Sequence, residues 1–152
     1  MSRRNQVAMT EAEVHEYLAG ARTMTVATIG ADGRPHLVAV WYAHLADAPA
    51  FWTYSRAQKA VNLRRDPRIT ALVEDGDSYQ SLRGVQLVGQ GVIVDDPETV
   101  TALAHRLLDR YAGPMSGPAR QAMIASAAKR VAVRIEVDKV VSWDHRKLGG
   151  TY

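Results

Sequence analysis

The clearest chemistry in this chain lies in cations gathered on one short segment. Arg56, Lys59, Arg64, Arg65 and Arg68 run through Tyr54–Asp77 and lead into an apolar strand. A helix over 56–65 advances about 100° per residue, which sets Arg56 and Lys59 on one face beside Ala60 and Leu63. Arg64 and Arg65 then fall more than about 100° from Lys59. Asp66-Pro67 ends the segment, because proline disfavours helical geometry in the residue before it. The basic run therefore divides in two.

Cations in a last helical turn complement the negative end of the helix dipole, which accounts for Arg64 and Arg65. Arg56 and Lys59 sit where the dipole is already positive. Ser55 reads as the N-cap, with backbone N–H groups near Ala57 and Gln58 pointing outward. That placement costs stability and suits a bound phosphate or carboxylate. A solvated helix surface is the competing reading. Nucleic acid is disfavoured, since interleaved aromatics and a sustained basic face are both missing.

Other side chains carry weaker signals. Trp41, Trp52 and Trp143 could frame a planar ligand or simply pack. His36, His44 and His145, with Tyr42 and Tyr79, are candidate proton donors. Their spacing fits no metal motif, so no metal is expected. Arg83, before Gly84, could reach an anionic ligand or form a cross-strand ion pair.

The elements that must position these residues are short and mostly β. Thr10 and Glu13 have capping-box form and start a helix to about Ala19, with Gly20 as its stop. Thr23–Ile29 and Leu37–Ala43 read as strands joined by Gly30-Ala31-Asp32-Gly33-Arg34-Pro35. Asp47-Ala48-Pro49 turns the chain into Phe51–Tyr54. Ile69–Glu74 and Leu82–Val94 follow, and the glycines at 84, 89 and 91 mark bulges or close backbone approach. Asp96-Pro97-Glu98 opens a helix to about Tyr111, and Gly113–Pro118 is a loop before a further helical segment. In the last strand, Val131, Val133, Ile135 and Val137 share one face. Six strands with hairpin connections and peripheral helices imply a mainly β fold, a closed or nearly closed antiparallel barrel. Leu37–Tyr42 is apolar on both faces and so needs two covers. The second is a partner subunit or the helix from Pro97.

The chain has 152 residues and a net charge of +3, which suits a single domain over 1–152 with a mild preference for anions. Residues 1–8 are expected to be flexible. No apolar run approaches a membrane span, and no signal core follows the basic start. The absence of cysteine excludes disulfides and thiolate metal sites and agrees with a reducing cytoplasm.

Lys59-Ala60-Val61-Asn62-Leu63-Arg64-Arg65-Asp66-Pro67-Arg68, preceded by Phe51-Trp52-Thr53-Tyr54, resembles the flavin/deazaflavin oxidoreductases of the pyridoxamine 5'-phosphate oxidase-like split-barrel superfamily. Thr25–Ile29, Asp32–His36, Val38–Tyr42 and Leu82–Val85 match in order and spacing. The tail Ser142–Gly149 resembles an actinobacterial branch associated with coenzyme F420. The resemblance implies a six-stranded antiparallel Greek-key split barrel and a homodimer with cofactor sites at the subunit interface. It implies that Ser55, Arg56, Gln58 and Lys59 bind the cofactor phosphate. The ring is implied along the strand through His36, Val38, Val40 and Trp41, and against Trp52 and Thr53. The second subunit is implied to close the site with Trp143, the tail 144–152 and Arg83. His145 and Arg146 do not reproduce the substrate arginines and histidines of pyridoxamine phosphate oxidation. The expected activity is F420-dependent hydride transfer to an unsaturated small-molecule acceptor, with no catalytic residue singled out. An FMN-binding oxidoreductase and a non-catalytic flavin or F420 carrier are the alternatives.

Overall fold

The computed structural model describes residues 2–150. A seven-stranded sheet forms the body: β1 (Met24–Ile29), β2 (Pro35–Val40), β3 (Ala43–Leu45), β4 (Ala48–Tyr54), β5 (Arg68–Asp75), β6 (Arg83–Val94) and β7 (Arg130–Asp144). Their spatial order is β2-β1-β5-β6-β7-β4-β3, antiparallel throughout. The two edge strands, β2 and β3, are separated in the chain only by Trp41–Tyr42. The curled sheet therefore brings its own edges to one corner, which is a split barrel.

The expected strand Leu37–Ala43 is two strands, giving seven where six were expected. Tyr42 breaks it. The Tyr42 N–H donates to the Tyr111 hydroxyl at 3.1 Å, and that hydroxyl donates back to the Tyr42 carbonyl at 2.9 Å. The tyrosine's own hydroxyl donates to the Leu18 carbonyl at 2.5 Å. With these groups satisfied away from the sheet, the backbone turns the barrel corner there.

Local chemistry set most other boundaries. Helix α1 spans Arg3–Val7, within the stretch expected to be flexible. Helix α2 (Glu11–Gly20) carries both bonds of the capping box between Thr10 and Glu13 and runs through Gly20 to a cap at Ala21. Helix α3 is Gln58–Arg65, and α4 (Pro97–Tyr111) starts where the Asp96 carboxylate accepts from the Thr99 N–H at 2.9 Å. Helix α5 covers Gly117–Ala125. The β3–β4 connection is a two-residue turn with Ala46 and Asp47 at φ 47° and 65°, one residue ahead of the expected turn. No helix among the described residues is long and apolar enough to cross a membrane.

Two cores result. Met24, Val26, Phe51, Val85, Val133 and Ile135 fill the barrel, while Val100, Leu103 and Leu107 of α4 pack on Leu45, Ala50 and Ala132 of the sheet. Helix α4 lies over β3, β4 and β7. Val38 and Val40 pack inward, whereas Leu37 on the opposite face of β2 is 63 % exposed. Val137 departs from the expected inward row and is exposed. A bulge shifts the β6–β7 register between Val88 and Gly89, so Gly89 pairs with Val137 and Val88 with Lys139. A Cβ at Gly89 would meet the Glu136 carbonyl oxygen at 1.9 Å, so only glycine fits the bulge.

Candidate functional site

Helix α3 begins later than its sequence suggests. Its N-cap is Ala57, which offers no side-chain cap, and Ser55 and Arg56 lie in the turn before it. The Ser55 N–H donates to the Lys129 carbonyl at 3.1 Å, and the Ala57 N–H to the Tyr54 carbonyl at 2.9 Å. These bonds close a tight loop against the start of β7 and draw Ser55 away from the capping position. Arg64 reaches back from the last turn to the Ser55 carbonyl at 2.6 Å and supports that loop. Arg65 donates to the Ile29 carbonyl, and Arg68 holds Asp66 at 2.6 Å. The Arg68 guanidinium brings the Asp66 carboxyl down to about 2.

Gln58, the first helical residue, donates through Nε2 to Asn62 Oδ1 at 2.8 Å. Asn62 Nδ2 donates in turn to Thr28 Oγ1 at 3.0 Å, and both residues are fully buried. This chain fixes α3 on β1. His36 pairs with Thr28 across the β1–β2 ladder, and so shares its face. Its Nδ1 is shielded from solvent with no hydrogen-bond partner.

Lys59 is half-buried, and its ammonium pKa is held down by burial first and by the nearby charge of Arg130 second. Arg130, which sequence reasoning did not single out, lies opposite Tyr54 in the β4–β7 ladder. Its guanidinium sits 4.3 Å over the Trp52 ring and 4.1 Å over the Tyr54 ring. Trp52 otherwise packs on the α4 core, while Thr53 is buried on the other face. Among the described residues, Arg56, Lys59 and Arg130 have no carboxylate partner. Lys59 and Arg130 are close enough for their charges to repel, with no carboxylate on either to offset it.

The remaining expected residues stand elsewhere. Trp41 stacks on Tyr111 with centroids 4.5 Å apart and rings nearly parallel, its other face open to solvent at 57 % exposure. Arg83 makes the cross-strand pair, gripping Asp75 at 2.7 and 2.9 Å. Trp143 lies against Gly84, where a Cβ would meet its ring at 2.4 Å. Beside them a cavity of about 560 Å³ is lined by Glu13, Tyr17, Asp75, Arg83, Asp144 and Arg146. Most of its charges are paired, Asp75 with Arg83, Asp144 with Arg146 and Glu13 with Lys147, while Glu16 makes no ion pair among the described residues. Burial pushes the Tyr17 phenol up to about 12. His145 bonds through Nδ1 to the Tyr79 carbonyl at 2.9 Å. The Tyr42 hydroxyl is turned into the protein, where burial raises it to about 12. Residues 151 and 152 of the tail lie outside the described residues.

Arg83 pairs with Asp75 at one end of the β5–β6 ladder, and Arg68 with Gln90 at the end next to α3. At about 3.3 Å per residue those ends are about 23 Å apart. Within one chain the group around Lys59 thus stands apart from Arg83 and Trp143, and Trp41 lies on Tyr111.

A split barrel of this form belongs to a known class. The chain belongs to the pyridoxamine 5'-phosphate oxidase family, matched over residues 10–144. It is 43 % identical to a conserved hypothetical protein from Mycobacterium tuberculosis, with a TM-score of 0.91, covering 100 % of this chain and 95 % of that one. It is 28 % identical to an F420 reductase, TM-score 0.66, over 83 % of this chain and 94 % of that one. A heme storage protein from Vibrio cholerae, 16 % identical with a TM-score of 0.68 over 87 % and 94 % of the two chains, shares the fold.

Proposed function

We propose that this protein is an F420-dependent oxidoreductase acting on an unsaturated small molecule, with its cofactor phosphate held by Lys59 and Arg56 beside Ser55. The observation that carries this reading is the unneutralised charge at the entrance to α3, in a chain whose relatives include an F420 reductase. The other cations around α3 differ: Arg64, Arg65 and Arg68 are tied to a carboxylate or a carbonyl, as Arg83 is farther off. A half-buried lysine with a lowered pKa and no partner gains most from an anion. When bound, the reduced deazaflavin supplies the hydride. The chain's own part is to fix the phosphate, to align the ring along β2 and to keep water from it.

The two separated groups of residues support a shared site. A two-fold dimer would bring Arg83 and Trp143 of a second copy toward Lys59, and it would cover the exposed row containing Leu37. The test is titration of purified protein with F420 and with FMN in parallel. The reading expects F420 to bind with a change in its fluorescence, and FMN more weakly. Tighter FMN binding would move the assignment to a flavoenzyme, and no binding of either would overturn it. Turnover over a panel of enones and quinones separates an enzyme from a carrier.

A further inference from the structure

We infer that Arg130 is a second cationic ligand for the phosphate seated at α3, held in position by the rings of Trp52 and Tyr54. The inference rests on the anion site proposed above and adds a residue from a distant strand to it. Arg130 is tied to that site by register, since it pairs with Tyr54, and the neighbouring Lys129 carbonyl takes the Ser55 N–H at 3.1 Å. The side chain crosses the outer face of β4 rather than pointing into solvent. Stacking on two rings restricts its rotamers before any ligand arrives, which lowers the ordering cost of binding.

Arg134 provides the contrast within the same strand. Its guanidinium pairs with Glu136 at 2.7 Å. Both side chains have a shielded Nε without an acceptor, but the Arg130 guanidinium has two aromatic faces and no carboxylate. A guanidinium placed beside a lysine ammonium repels it, and that arrangement is favourable only when an anion sits between them. Loss of the charge-assisted bonds to phosphate corresponds to at least about a tenfold loss of affinity.

The experiment compares wild type, Arg130→Gln, Arg130→Met and Lys59→Gln for binding of F420, FMN and inorganic pyrophosphate, with thermal melting to confirm folding. Arg130→Met keeps aliphatic contact with the two rings and serves if Arg130→Gln melts early. The expected result is a loss of at least about tenfold in both Arg130 variants with a shallower salt dependence than wild type. Wild-type affinity in the folded Arg130 variants, with loss only in Lys59→Gln, overturns the inference while leaving the proposed function in place. If wild type binds neither F420 nor FMN, the proposed function fails, and pyrophosphate decides the role of Arg130. A thermal shift in wild type that both Arg130 variants lack sustains it, and no shift in wild type overturns it.

Discussion

The Asn62 side chain donates to the Thr28 hydroxyl at 3.0 Å, with both residues closed to solvent. This bond fastens α3 to β1, and through Gln58 it fixes the first turn of the helix. Deleting one partner leaves the other buried and unsatisfied. Asn62→Ala and Thr28→Val should each cost about 1–3 kcal/mol, read from urea unfolding midpoints. The double variant should cost clearly less than the sum, because the two share one interaction. Full additivity would show that the bond does not couple the elements.

Lys59 should be a stability liability. Its pKa is depressed in the folded protein, whereas the unfolded chain titrates near the ordinary value of 10.5. Between those values the unfolded state holds more protons, so stability rises with pH through that window. Below it the full cost of a half-buried ammonium near Arg130 is present. Lys59→Met should therefore melt higher than wild type at neutral pH, and the difference should shrink as pH approaches about 10.5. The same variant should lose cofactor binding. A lower melting temperature at pH 7 would contradict the liability.

The open face of β2 gives a separate prediction. Leu37 is 63 % exposed on an edge strand, with its apolar side chain away from the barrel core. Leu37→Glu should convert a wild-type dimer to monomer in light scattering, with little loss of secondary structure by circular dichroism. Weaker cofactor binding should accompany it if the site is shared. A wild-type monomer, or a variant that stays dimeric, would remove the shared site.

The boundaries that were legible in the sequence are those set by neighbours in the chain. Asp96-Pro97-Glu98 carries its own cap for α4, and Thr10 with Glu13 carries one for α2. The three glycines of β6 each face something specific: the ring of Trp143 at Gly84, the Glu136 carbonyl at Gly89 and Leu63 at Gly91. What escaped depends on distant partners. The break at Tyr42 is imposed by Tyr111, 69 residues away. Ser55 looks like a cap until the Lys129 carbonyl takes its N–H. The exposed Val137 follows from a bulge whose partner strand is β6. Arg130 gives no local signal, because its meaning comes from β4–β7 register and the rings stacked beneath it. The division of the basic run was readable, but the duties of Arg64 and Arg65 were not. Arg64 donates to the Ser55 carbonyl and braces the loop before α3, while Arg65 donates to the Ile29 carbonyl at the far end of the helix.

The divided basic run assigns different duties to Lys59 and Arg65. F420 dissociation constants for Lys59→Ala and Arg65→Ala, measured in one buffer beside wild type, separate those duties. Lys59→Ala should lose at least about a hundredfold, from removing a partly desolvated charge contact, and Arg65→Ala should keep near wild-type affinity. Equal losses in the two variants, or unchanged binding in Lys59→Ala, would contradict that division.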